Sequence, residues 1–435
     1  MKVVADLQIH SRFARAVSPQ MVIPVISQWA GKKGIDLVAT GDWTHPLWFR
    51  ELQTNLEEAA EGIYKAKDAP EASANFLLST EVSSIYSQGG KVRKVHTLIF
   101  APNFKTVESI NRELTKRGAN LLSDGRPIVG LSAKQVAEIA LEVNSDCLII
   151  PAHAWTPHFS LYGSVSGFDS IEECFGELAS SIYAIETGLS SDPAMNWRIE
   201  ELEARSVVSF SDAHSPQKLG REATVFDLTE LSFGAIRAAI MGQKGEGIAH
   251  TIEFYPEEGK YHYTGHRNCK VVYSPNETRK LGTICPVCGR PLTVGVMSRV
   301  EHLAGGEVET KSDIDSFGVR WIKDSQGKRP PYVMLVPLLE ILSEALSSGV
   351  GSQKVLGAYD ALTAQLGSEF RVLLETPIDE IERVSGTRMA EAVSKVRSGD
   401  ISIEPGYDGV FGKVKIWKES GAKDAEAPID QGMLF

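Results

Sequence analysis

Val207-Val208-Ser209-Phe210-Ser211 is an apolar run that ends in Asp212-Ala213-His214. Six earlier segments repeat this arrangement, a β-like stretch that stops at a side chain able to bind a metal ion. In order they are Val3-Val4-Ala5-Asp6 leading to His10, residues 35–39 leading to Asp42, and residues 76–80 leading to Glu81. Lys94-Val95-His96, residues 147–150 leading to His153, and Tyr183-Ala184-Ile185 leading to Glu186 complete the set. One such coincidence carries little. Seven in order predict an α/β protein, a β/α barrel with its ligands at the C-terminal strand ends, where barrel enzymes place their chemistry. His and carboxylate ligands converging there imply a multinuclear, hydrolytic metal site.

Helical patterns separate these runs at residues 22–32, 49–66, 106–116, 133–143, 170–180 and 195–204, and such alternation implies a parallel sheet covered by helices. Seven strands rather than eight imply a distorted barrel. Ser87-Gln88-Gly89-Gly90-Lys91 reads as a hairpin tip, which makes one strand pair antiparallel. Four units are expected: 1–255, the barrel; 256–312, a zinc-binding module; 313–418, a helical region; and 419–435, a flexible tail. In the helical region, residues 335–346, 354–366, 370–374, 378–384 and 389–397 read as helices, punctuated by Gly349, Gly351, Gly367 and Gly399.

The 435 residues allow two or three domains, and 43% apolar with 23% charged residues is ordinary for a folded soluble chain. No stretch approaches the ~18 apolar residues of a membrane span. The first residues enter a strand directly, and five cysteines make no secreted disulfide framework, so a cytoplasmic protein is expected. Cys147 and Cys174 lie in apolar contexts and read as buried thiols. No phosphate-binding G-x-x-x-x-G-K-[ST] loop is present, which argues against that class of ATP hydrolysis.

Clustered carboxylates at ~4 Å cannot all stay ionised without a cation. Two or three divalent ions, drawn from Zn, Mn, Fe or Mg, resolve the conflict and can clamp a phosphate. The motifs Asp6-Leu7-Gln8-Ile9-His10, Glu81, His96, Pro151-Ala152-His153 and Asp212-Ala213-His214 resemble those of the PHP (polymerase and histidinol phosphatase) superfamily. That resemblance covers roughly residues 1–250 and implies a distorted seven-stranded barrel with a two- or three-metal phosphoesterase site.

A closer resemblance, running through nearly the whole chain, is to endonuclease Q. It is carried by Thr40-Gly41-Asp42, Pro151-Ala152-His153-Ala154-Trp155-Thr156-Pro157 and Glu186-Thr187-Gly188-Leu189-Ser190-Ser191-Asp192. Ser211-Asp212-Ala213-His214-Ser215-Pro216, Leu219-Gly220-Arg221-Glu222 and Pro405-Gly406-Tyr407-Asp408-Gly409 extend it. The resemblance implies a DNA repair endonuclease that nicks 5′ to deaminated bases (uracil, hypoxanthine, xanthine) and at abasic sites. It implies a first ligand set of His10, Asp42, Glu81 and Asp212 and a second of His96, His153 and His214. Glu186 is implied as a further ligand or a base, which makes Asp212, His214 and Glu186 the candidate catalytic residues. The sequence departs from the superfamily at Gln8, where the His-x-His pattern has its first histidine. A glutamine carbonyl is a neutral ligand weaker than imidazole for zinc-like ions. Two readings follow, a metal held less tightly or a silenced site.

His266-x-x-Cys269 is followed after fifteen residues by Cys285-x-x-Cys288, the spacing of a closed structural Zn site. His262 is an alternative to His266, and a redox pair is the alternative chemistry. The chain is acidic, at −11, but residues 260–299 hold seven basic residues and one acid. Arg267, Lys270, Arg279 and Lys280 are the candidate phosphate contacts there, against the plainer reading of a charged surface for solubility. Trp155, with Phe159, Tyr162 and Phe168, is a candidate for stacking on DNA bases, as are Trp43, Trp48 and Phe49; ordinary loop packing competes for each ring. Residues 377–398, around Ser385-Gly386-Thr387, faintly resemble a helix-hairpin-helix, with a plain bundle as the alternative. The end, Gln431-Gly432-Met433-Leu434-Phe435, resembles the peptide that docks into the bacterial sliding clamp, with Gln431, Leu434 and Phe435 as anchors. The expected partners are therefore damaged DNA and a clamp. The competing functions are a small-molecule phosphoesterase and a damage-binding protein impaired by Gln8.

Overall fold

The computed structural model describes residues 1–67 and 73–417. In chain order the barrel region contributes β1 (Lys2–Asp6), β2 (Leu37–Ala39), β3 (Leu56–Ala60), β4 (Ile63–Ala66), β5 (Asn75–Leu77), β6 (Ser79–Gln88) and β7 (Lys91–Phe100). It continues with β8 (Ile128–Val129), β9 (Leu148–Pro151), β10 (Ala184–Glu186), β11 (Ser206–Val208), β12 (Ala223–Asp227) and β13 (Gly247–Glu253). All seven expected strand runs are present. Hydrogen bonding nonetheless divides them among three sheets: β1, β2 and β5 in a ten-stranded sheet, β6, β7 and β9 in a four-stranded one, and β10 with β11. The seven strands expected of a distorted barrel thus lie in separate hydrogen-bonded sheets and not in one closed ladder. They meet through single contacts at the strand ends, such as His10 N–H to Ala213 O and Ala154 N–H to Glu186 O.

The physical reason lies in strand length. β2, β5, β10 and β11 have three residues each, too few for long ladders. β6 and β7 are ten residues each, and they pair antiparallel from Ser79↔Phe100 out to the expected tip at Gln88↔Lys91. The helix expected over 49–66 is half wrong. Pro46–Asn55 is helical, but β3 and β4 then form a hairpin whose second strand pairs with β5. The helix-favouring Glu and Ala residues of 57–60 yield to that edge pairing, as propensity does when tertiary pairing competes. Elsewhere local signals hold. Ser132 and Gln135 form a reciprocal cap at the start of Ala133–Val143.

After β13 the chain leaves the sheet and returns. β14 (Thr264–His266) and β15 (Val271–Tyr273) pair in a small hairpin, β16 (Thr310–Ile314) and β17 (Arg320–Asp324) form another, and β18 (Tyr332–Met334) pairs parallel to β13. The Cys/His segment is thus spliced between two neighbouring strands. Helices Leu338–Ala345, Gln353–Leu366, Glu369–Leu374, Ile378–Ser385 and Thr387–Ser398 then form a bundle, of which Gln353–Leu366 and Glu369–Leu374 pack on the barrel helix Ile23–Lys33. A buried Lys33 Nζ–Glu369 Oε2 pair at 2.6 Å and Trp29 beside Tyr359 join the two regions. Helix Ile378–Ser385 opens with Asp379 and Glu380, and Thr387 Oγ1 donates to Glu382 Oε1 at 2.6 Å. Cys147 and Cys174 are buried thiols as expected. Among the described residues no helix is long and apolar enough to cross a membrane.

Candidate functional site

His10, Asp42, His153 and Asp212 sit in loops just past short strands, whereas Glu81 and His96 lie inside the long strands β6 and β7 and not at the expected strand ends. Asp42, His153 and Asp212 all hold positive φ, at 51°, 32° and 47°. Such backbone costs a non-glycine residue of order 1–3 kcal/mol and persists where the surroundings over-determine it. The neighbouring motifs supply that determination. Asp6 is fully buried and accepts from Ser211 N–H, Ser211 Oγ–H and Gly220 N–H at 2.9, 2.5 and 2.9 Å, so β1 fixes the turn that carries Asp212. Arg221 Nε donates to Ser211 O at 2.8 Å from the other side. Gly188 (φ 61°) lies against His153, where a Cβ would stand 2.2 Å from the His153 Cβ, so only glycine fits.

The side chains form two groups whose ligand atoms lie within 4.8 Å of one another: His10, Asp212 and His214; and Glu81, His96 and His153. His10 Nε2 stands 3.2 Å from Asp212 Oδ1 and 3.3 Å from Glu81 Oε2, so Glu81 links the groups. Within the second group Glu81 Oε1 contacts His96 Nδ1, and His96 Nδ1 lies 3.1 Å from His153 Nε2. The structure thus places His214 beside His10 and Asp212, and Glu81 beside His96 and His153, a grouping other than the one the resemblance implies. Asp42 stands behind His10. Its Oδ1 meets His10 Nδ1 at 2.9 Å, and its Oδ2 accepts from Ser11 N–H and Oγ–H at 2.6 and 2.7 Å. In that place it orients an imidazole, the usual role of a carboxylate behind a metal-binding histidine. Gln8 Nε2 donates to Glu81 Oε2 at 2.7 Å.

Several buried polar atoms here have no hydrogen-bond partner: Gln8 Oε1, His10 Nε2, Asp212 Oδ1 and Glu186 Oε1. Orphaned acceptors converging in the interior are costly unless a cation satisfies them. Imidazole nitrogens and carboxylate oxygens are the donor set that divalent ions take, so these residues fit metal ions. Charge agrees. Burial pushes His96 down to about 4, against the pull of Glu81, which leaves a neutral ring with a lone pair. Burial alone would also lower His10, but Asp42, Asp212 and Glu81 together hold it well above the ordinary histidine value. Glu186 is fully buried and raised well above the carboxylate range. The His153 N–H on its Oε2 at 2.7 Å is outweighed by burial and by Asp212 and Glu81. Cations at these residues would compete with the protons that these shifts favour on His10 and Glu186.

The second site is His266, Cys269, Cys285 and Cys288, again with ligand atoms within 4.8 Å of one another. Cys288 Sγ lies 3.3 Å from His266 Nδ1. His262 is buried elsewhere and is not in the group. The knuckle closes through Gly289 N–H to Cys285 O and Cys285 N–H to Arg290 O, at 2.9 and 2.8 Å. Burial would raise the Cys285 thiol, but His266 and the N–H groups of Cys288 and Val287 bring it down to about 6. The module's own core is Val271, Cys285 and Leu292. Arg299, one of the seven basic residues of this stretch, is buried and donates to Tyr162 O and Phe168 O at 2.9 Å each, which fastens the module to the barrel. The late motif straps it from the other side. Asp408 accepts from Arg267 N–H at 2.7 Å and Thr293 Oγ1–H at 2.6 Å.

Arg267, Lys270, Arg279 and Lys280 are exposed on this module. The expectation of exposed aromatics is largely overturned. Trp155 is fully buried, packs on Tyr162 and donates its Nε1–H to Asn196 Oδ1 at 2.7 Å; Trp43, Trp48, Tyr162 and Phe168 are buried too. An indole needs an internal partner when its loop folds inward, and Asn196 supplies it. Of the four ring candidates in the His153 loop only Phe159 stays partly open, against His96 with ring centroids 4.8 Å apart. Arg126, whose guanidinium reaches Glu81, was not legible in the sequence, because its loop has no periodic pattern. Gln431, Leu434 and Phe435 lie outside the described residues.

Fold and site together define an α/β protein with two candidate metal centres, one of His and carboxylate at strand ends and one of His and Cys in an inserted module. Among solved structures the chain is similar to a lesion-specific endonuclease, PfuEndoQ from Pyrococcus furiosus, at 34% identity and a TM-score of 0.80 over 96% of both chains. It is equally similar to an endonuclease Q in complex with a 27-mer duplex bearing an abasic lesion at the active site, at 34% identity and a TM-score of 0.81 over 96% of this chain and 98% of that one. The chain belongs to the endonuclease Q family. Residues 337–400 match the MJ0043 C-terminal domain. The uncharacterised protein MJ0043 of Methanocaldococcus jannaschii is 32% identical over 286 residues, 63% of this chain and 33% of that protein. The match therefore spans about a third of that relative's length.

Proposed function

We propose that the chain is a DNA repair endonuclease that hydrolyses the phosphodiester on the 5′ side of deaminated bases and at abasic sites, with two or three divalent ions at the strand-end site and one structural Zn in the inserted module. The observation that carries this reading is the coincidence of two things at one place: a full-length likeness to an endonuclease Q with an abasic lesion at its active site, and a buried mouth of orphaned His and carboxylate atoms. His10, Asp212 and His214 would hold one ion and Glu81, His96 and His153 another. When bound, such ions lower the pKa of a water and neutralise a phosphate. The chain's own part is to orient and to move protons. Asp42 fixes the His10 ring. Glu186, whose Oε2 accepts from His153 N–H, would serve as a base through Oε1 once bound cations draw its raised pKa down. His214, at 34% the most accessible ligand side chain of its group, opens to solvent where a strand enters. Arg267, Lys270, Arg279 and Lys280 bind backbone phosphates beyond the lesion.

The test is incubation of end-labelled oligonucleotides carrying uracil, hypoxanthine, an abasic analogue or no lesion, with manganese or with chelator. Nicking 5′ to the lesion in metal alone is expected, and equal activity with chelator would remove the metal mechanism.

A second reading, a damage-binding protein silenced at Gln8, is favoured by one observation. Gln8 donates to Glu81 but leaves its own Oε1 unpaired. If Gln8 silences the site, Gln8→His raises the nicking rate at least about tenfold, ~1.4 kcal/mol of barrier. An unchanged rate assigns Gln8 to weaker metal retention instead. The terminal motif Gln431, Leu434, Phe435 is proposed to dock on a sliding clamp. A peptide of the last ten residues should bind a bacterial clamp, and L434A/F435A should abolish it.

A further inference from the structure

The loop 119–127 crosses the mouth of the strand-end site, and several backbone groups around its centre are held. Gly125 N–H donates to Phe13 O at 2.9 Å, and Gly125 O accepts from Thr44 Oγ1–H at 3.0 Å. Asp124 Oδ1 accepts from the N–H of both Arg15 and Arg126 at 3.1 Å. Ser83 N–H closes the exit through Pro127 O at 3.0 Å. A Cβ at Gly125 would stand 2.5 Å from Asp42 Oδ2 and 2.8 Å from Ala14 N, so the loop lies directly on the site's own wall. The product of this anchoring is one guanidinium, that of Arg126, aimed at the acidic mouth.

Arg126 Nη1 reaches Glu81 Oε1 at 3.5 Å, and the side chain keeps 22% of its surface exposed. Asp42, Asp124 and Asp212 also face it. As an ion pair this is poor. A paired guanidinium sits 2.7–2.9 Å from its carboxylate, commonly through two parallel bonds, whereas Arg126 makes one long contact to an oxygen already engaged by His96. Its other side-chain N–H groups donate to nothing among the described residues. An anchored fork with free donors at the rim of a cation site is the arrangement that receives a phosphate on its non-bridging oxygens.

We propose that Arg126 binds the scissile phosphate beside the two ligand groups, as a further catalytic residue. The proposal rests on the reading of the site as a phosphodiesterase, and its test separates the two. Inorganic phosphate is titrated into the manganese-loaded full chain by calorimetry, and manganese affinity is measured on the same proteins. R126A is expected to weaken phosphate binding about tenfold or more with manganese affinity held within about threefold, and R126K to fall between, since it keeps charge but loses the fork. Unchanged phosphate affinity in R126A overturns the proposal and leaves Arg126 as a counter-ion to Glu81. If R126A also loses manganese, R126K decides: full phosphate affinity there overturns the role of the fork. A wild-type protein that nicks no lesion yet binds phosphate through Arg126 overturns the proposed function and keeps this inference. Normal nicking and normal phosphate binding by R126A do the reverse.

Discussion

The two candidate metal centres are built on opposite principles. The strand-end site hangs on a scaffold that exists without it. Asp6, Arg221 and Gly188 set its turns, Asp42 sets its first histidine, and a continuous apolar core lies beneath. The Cys/His site has a core of its own of three buried side chains, Val271, Cys285 and Leu292, of which one is a ligand. A small unit with so little core needs a metal to fold. The contrast teaches that one site spends structural energy to hold ligands ready, and the other draws structural energy from its ligands.

The sharpest way to break the comparison is at Asp212. Asp212→Asn should lower lesion nicking by at least about a thousandfold, as loss of a charged ligand at a reacting centre does, while the melting temperature moves little. A large fall in melting temperature would mean that the strand-end site is also a folding device. Next comes Cys285→Ser. It should unfold the inserted module and make it protease-sensitive, at a cost of several kcal/mol to that unit alone, while circular dichroism of the barrel survives. An intact module would show that its fold does not need the ion.

The buried acids behind the strand-end site sharpen the contrast further. Glu253 is fully buried, and burial pushes it up to about 8, with Ser209 Oγ–H at 2.5 Å only partly offsetting this. Glu222, Coulombically coupled to it, is raised well above the carboxylate range, first by burial and then by Glu253. The folded chain therefore keeps a proton that the unfolded chain has lost between about pH 4.5 and 8. The sign follows: stability should fall as pH rises through that window, by up to a few kcal/mol. Glu253→Gln, which mimics the neutral acid, should flatten the profile in melts taken from pH 5 to 8. An unchanged slope would place the proton elsewhere.

The smallest effect is at the exposed charges. R267A/K270A should weaken binding to all duplexes alike and reduce the slope of log K against log salt by about 2, one for each lost phosphate contact. Loss confined to lesion-bearing DNA would give these residues a role in recognition instead.

The ordered strand-end ligands were legible because period-2 apolar runs followed by His, Asp or Glu are local facts of the chain. The knuckle was legible for the same reason, since Cys285-x-x-Cys288 and His266-x-x-Cys269 encode their own geometry. Trp155 was misread because its burial depends on Asn196, 41 residues away. The strands β3 and β4 were misread because the helix-favouring side chains of β3 are overruled by pairing with β4, which itself pairs with β5.

By itself, then, the sequence determined the strand run order, the candidate ligand residues, the Cys/His spacing and the C-terminal helices, all of which rest on neighbours a few residues apart. Only the tertiary structure decided which histidines stand together, that Asp42 sits behind His10, that the barrel is divided among three sheets, and that Arg126 enters the mouth. Those outcomes depend on contacts between residues far apart in the chain, such as Arg126 with Glu81 and Asp6 with Ser211, and no local periodicity carries that information.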